Sequence, residues 1–134
     1  MPHLVILYSG NLDPDGNMTR LCRALADTLL EVWDEEGKQV FPTGGTRVLA
    51  FPSAHHAIAD GKRDYAFVYM NLRMGRGRSA ETQKKAGDAI AACAERHFNP
   101  LMAKRLIGIT VQVDESPGQV YDAKHSNIHP LFNQ

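Results

Sequence analysis

Cysteine is scarce in this sequence: Cys22 and Cys93 are the only two in 134 residues. Two scattered thiols make neither a disulfide framework nor a thiolate metal motif, and both fall in amphipathic stretches that suit small core residues. Long apolar runs are also missing. Nothing approaches the roughly 18 apolar residues of a membrane span, and the amino terminus has no basic segment and no extended apolar core of a secretory signal. The expectation is a soluble, cytoplasmic chain with no membrane partner. There is no excess of either charge, because 15 Lys and Arg residues balance 15 Asp and Glu residues. Without a global field there is no reason to expect nucleic acid or an acidic surface as partner, so any anion recognition has to be local. The histidines lack the pattern of a zinc site, since no pair combines helical i, i+4 spacing with a third ligand nearby. No metal is expected. Ser9 and Ser79 lack the G-x-S-x-G setting of a hydrolase nucleophile.

What is present is an alternation of apolar strands and amphipathic helices. PHLVILYS (2–9) reads as a buried strand followed by the turn-forming NLDPDGN. From Thr19 to Trp33, Leu21, Leu25, Leu29 and Val32 recur at helical spacing, with Asn17 as the expected cap and Gly37 as the expected stop. RVLAFPSAHHAIADG reads as a short strand broken by Pro52. DYAFVYMNLRM (64–74) alternates, with Ala66, Val68, Met70 and Leu72 on one face and Tyr65, Phe67, Tyr69, Asn71 and Arg73 on the other. Ser79 is a good N-cap for a helix whose stripe is Ala86, Ile90, Cys93, Ala94, His97 and Leu101, bent or ended by Pro100. RLIGITVQVDE (105–115) is the last strand, before an extended tail.

This order predicts one α+β domain. Two consecutive β-α-β units (1–62 and 63–115) form one sheet with two helices on one face, and a C-terminal tail follows (116–134). The aromatic face of the third strand needs a cover, expected to be another subunit, and the tail is expected to dock on an adjoining subunit.

Three features could carry chemistry. Pro2, once Met1 is removed, would present a secondary amine at the start of a strand. An α-amino group titrates at about 7.7–8.0, and burial and nearby cations lower it further, so such an amine can act as a base at neutral pH. The alternative is that Pro2 is only a stiff strand start. The second feature is MGRGRS (74–79), where glycines and a helix N-terminus place Arg76 or Arg78 for a small anion. It lacks the lysine and spacing of a nucleotide loop, and a solvated turn is the alternative. The third is FPTGGTRV, which puts Arg47 at the head of the second strand.

Taken together, the amino-terminal PH with its apolar strand, DYAFVYMNL, GRGRS opening a helix, HF and LM near that helix's end, RL leading the last strand, and NIHPLF in the tail resemble the 5-carboxymethyl-2-hydroxymuconate isomerases of the tautomerase superfamily. The resemblance spans nearly the whole chain. It implies a homotrimer acting without cofactor or metal on a small-molecule carboxylate, a 2-hydroxydienoate di- or tricarboxylate. It implies Pro2 as general base and Arg78 and Arg47 as substrate-binding residues; Arg76 is a cation additional to those the resemblance carries over, expected to join them in substrate binding. The family's second loop arginine is Leu49 here, which also leaves open a non-catalytic trimeric anion binder or sensor on the same scaffold.

Overall fold

The computed structural model describes residues 2–132. Strands β1 (His3–Ser9), β2 (Arg47–Ser53), β3 (Tyr65–Met74) and β4 (Leu106–Glu115) alternate with helices α1 (Met18–Leu30) and α2 (Ala80–Met102). They form one sheet in the order β2-β1-β3-β4. β1 runs parallel to β2 and β3 runs parallel to β4, each pair joined by a crossover helix, while β1 and β3 meet antiparallel at the centre. Two β-α-β units thus share one sheet, as the order of apolar segments predicts.

The strand alternation explains which face is buried. Leu4 and Ile6 of β1 and Ala66, Val68, Met70 and Leu72 of β3 are all inaccessible or nearly so. They pack beneath Leu21, Leu25 and Leu29 of α1 and Ala86, Ile90 and Cys93 of α2. Each fully buried Leu, Ile or Phe side chain contributes about 1.5–3 kcal/mol through removal from water, so this layer supplies the main driving force for folding. α2 differs from the expected stripe at one place: Phe98 is fully buried. His97 sits at the rim instead, with Nε2 2.8 Å from the Gly16 carbonyl oxygen and its ring edge-on to Phe98.

Local departures from the sequence reading have clear causes. Asn17 adopts a left-handed conformation (φ 48) and makes no side-chain cap bond to α1. α1 ends at Leu30, well before Gly37, because the Asp34 carboxylate accepts the Glu36 and Lys38 amides at 2.9 Å and builds a separate turn. Gly37 serves that turn with φ 76. Pro52 does not break β2; it pairs with Tyr8 inside the strand. The proline is tolerated because β2 is an edge strand, where one side of the backbone needs no donor. Pro100 lies in the last turn of α2, which ends at Met102.

Past β4 the Ser116 amide donates to the Met74 carbonyl at 2.8 Å, and the tail then runs without regular structure to a short 3-10 turn, His129–Leu131. That turn packs on another, Thr43–Gly45, of the same chain. Gly44 makes this possible, since a Cβ there would stand 2.9 Å from the His129 Cα. Ile128, Leu131 and Phe132 remain exposed all the same.

Candidate active site

The face of the sheet away from the helices is graded along its length. At the amino end of β1, register sets His3 opposite Arg47 on one side and Arg73 on the other, with Asp114 beyond Arg73. Residues directly opposite each other project from the same face, so these four form one cross-strand row. The next row is Leu49, Val5, Asn71 and Gln112, and the one after is Phe51, Leu7, Tyr69 and Thr110. One end of the face is therefore charged and the other apolar, with Leu7 48%, Phe51 50% and Phe67 37% exposed.

Pro2 is buried immediately before the charged row, where β1 begins. Beside this row lies a cleft of about 430 Å³ lined by His3, Arg47, Arg73, Met74 and Gly75, and closed on the far side by Ser116 and tail residues including His125 and His129. The cleft wall is basic. Among the described residues no carboxylate comes within ion-pair distance of Arg47 or Arg73. Asp114 is occupied, since its Oδ2 accepts from Asn71 Nδ2 at 2.7 Å. Partial desolvation, with the Arg47 and Arg73 guanidiniums close by, pushes the His3 imidazole below its usual value although the residue is exposed.

The arginines singled out in the sequence lie at three different positions. Arg47 heads β2 and faces the cleft. Arg78 is half-buried behind the wall: its Nη2 donates to the Val40 carbonyl at 3.0 Å and its Nη1 to the Gly75 carbonyl at 3.2 Å. Its guanidinium also stands 5.8 Å from the centre of the Phe41 ring, a cation–π distance. Gly75 lines the cleft, so Arg78 lies one backbone thickness from it. Arg76 is exposed and ties down the start of the tail, donating from Nη1 to the Pro117 carbonyl at 2.7 Å. Leu49 lines a separate cavity at the β2 edge, with Cys22, Ile128 and Phe132. The sequence reading missed His3, Arg73 and His129 as cleft residues. Alternation placed Arg73 on the outward face of β3, but only the β1–β3 register brings it beside His3.

Ser79 caps α2, accepting the Thr82 amide at 3.1 Å, and its hydroxyl donates to Glu35 Oε1 at 2.7 Å. Thr82 Oγ1 donates to the same oxygen at 2.8 Å. The two hydroxyls hold the Glu35 carboxyl below its usual range, Ser79 contributing most. A loop of the first unit thereby fixes the glycine-rich turn that carries Arg76 and Arg78. Among the described residues no three His, Cys, Asp or Glu side chains converge on a metal position, and no helix is long and apolar enough to cross a membrane.

Comparison with known proteins finds relatives along the whole chain. A family model described as 5-carboxymethyl-2-hydroxymuconate isomerase matches residues 2–132. A 5-carboxymethyl-2-hydroxymuconate Delta-isomerase of Escherichia coli is 30% identical over 132 residues, covering 98% of this chain and 99% of the relative. A crystal structure of a 5-carboxymethyl-2-hydroxymuconate delta-isomerase superposes with TM-score 0.94 at 55% identity, covering 100% of this chain and 94% of the other. A 5-carboxymethyl-2-hydroxymuconate isomerase from Deinococcus radiodurans R1 superposes with TM-score 0.85 at 32% identity, covering 99% of this chain and 95% of the other.

Proposed function

The chain belongs to the 5-carboxymethyl-2-hydroxymuconate isomerase family, and from that premise we propose that it isomerises a 2-hydroxydienoate di- or tricarboxylate with Pro2 as general base and without a cofactor. The observation that carries this reading is the buried Pro2 set directly before a row in which His3 is flanked by two arginines that, among the described residues, have no carboxylate within ion-pair distance. After removal of Met1 the proline nitrogen is a secondary amine with a lone pair. It takes the proton of the 2-hydroxyl group, the electron pair moves through the conjugated dienolate, and a proton returns to carbon at the far end. One O–H bond breaks and one C–H bond forms, so no redox partner is required.

The cations have two tasks. Each unit by which they lower the amine pKa reflects about 1.4 kcal/mol of preference for the neutral form, a modest demand beside several guanidiniums. They also stabilise negative charge as it spreads over the dienolate. Arg47 meets a substrate carboxylate from the cleft wall. Arg78 adds positive charge from behind Gly75, and Arg76 holds the tail that closes the cleft.

Replacing Pro2 by Ala is expected to slow ketonisation of 2-hydroxydienoates by roughly a hundredfold, within the range of general acid–base contributions, with the assembly state unchanged. Loss of ultraviolet absorbance by the dienol gives the rate. A Pro2→Ala protein as fast as the unaltered one would remove Pro2 from the mechanism.

A further inference from the structure

We propose that Arg73 sets specificity for a second, distal carboxylate of the ligand, with Arg47 taking the first and His3 standing between the two guanidiniums. Arg47 and Arg73 are the register partners of His3 on its two sides. They are therefore two strand spacings apart, roughly 10 Å. That separation suits two carboxylates at opposite ends of one extended chain better than a single carboxylate held by both arginines.

The donors of Arg73 are available. Its own register partner, Asp114, is bonded to Asn71. The acidic side chain in the cleft lining, Asp122, is paired with Lys124. Like charges set along one cross-strand row destabilise a sheet, so two arginines with no counter-ion among the described residues carry a cost that a bound dianion removes. Partial desolvation and the flanking arginines lower the His3 imidazole's affinity for a proton, which disfavours a third positive charge in the row. Arg78 is less suited to the distal group, because Val40 and Gly75 already take two of its donors and it sits behind the wall. The inference rests on the isomerase reading for the identity of the substrate, whereas the anion pair can be tested by binding alone.

Calorimetry with trans,trans-muconate and sorbate provides the test, because these six-carbon dienes differ by one terminal carboxylate. The unaltered protein is expected to bind muconate more tightly, and Arg73→Ala to lower muconate affinity at least tenfold more than sorbate affinity. Arg73→Lys should recover part of the difference. Arg73→Ala should not lower the melting temperature, since the row loses repulsion, and Arg73→Lys, which keeps the charge, should leave it unchanged. Equal losses for the two ligands overturn the proposal, as does an unaltered protein with no preference for muconate. A variant that disassembles while its muconate-to-sorbate ratio stays the same also overturns it. If the unaltered protein fails to turn over 2-hydroxymuconate yet shows the Arg73-dependent preference, the isomerase reading falls and the dicarboxylate site stands.

Discussion

At the scale of single residues, the site depends on side chains brought close by backbone features that few other residues would permit. Gly44 is one such position. An added Cβ would lie 2.9 Å from the His129 Cα and 3.1 Å from its Nδ1, so the tail would have to move. Gly44→Ala should therefore speed amide exchange at Leu131 and Phe132, whose N–H groups donate to the Ile128 and His129 carbonyls at 3.0 Å. Exchange unchanged at those two amides would show that the tail is not seated on Gly44. Tyr8 shows how burial acts on a neighbouring side chain: with the hydrogen bond it donates to Asp13, burial pushes its hydroxyl up to about 12. It stays a neutral donor throughout the working range and has no part in acid–base chemistry.

At the scale of elements, the amino end of α2 is the junction between the two β-α-β units. Ser79→Ala removes the cap and is expected to cost about 1 kcal/mol, read from urea unfolding. Glu35 adds a pH dependence with a defined sign. Its folded-state pKa lies below the unfolded value of about 4.3, so its contribution is present above that value and lost as the pH falls through the folded pKa. Glu35→Gln should then lower the urea midpoint more at pH 6 than at pH 3, and an equal difference at both would assign the effect to something other than the carboxylate. This junction also shows what the sequence makes legible. The Ser79 cap and both β-α-β units follow from local periodicity and turn chemistry. Glu35 does not, because its partners Ser79 and Thr82 are 44 and 47 residues away and only the folded loop brings them together. The same holds for α1, where the Asp34 turn ends what periodicity alone would extend, and for Pro52, which is acceptable only because β2 is an edge.

At the scale of the whole molecule, the apolar end of the outward sheet face supports the proposal of a homotrimer. Sedimentation equilibrium should give about three times the 14.8 kDa chain mass. Removal of residues 119–134 should weaken assembly and open one side of the cleft; a truncated protein still fully trimeric would separate the tail from assembly. Pro2 and Arg47 were visible in the sequence as a terminal amine and a strand-head cation. The row that joins them to Arg73 was not, because it exists only across three strands. The claim on which the catalytic reading turns is that a free proline nitrogen is the base. The most direct measurement compares two forms of the same chain, separated by intact mass, with Met1 removed and with Met1 retained. They differ at the one nitrogen: an amine in the first, an amide without a basic lone pair in the second. Ketonisation of 2-hydroxymuconate is expected from the first and a rate at least a hundredfold lower from the second, in line with the loss of general base catalysis. Equal rates from the two forms would contradict the assignment of Pro2.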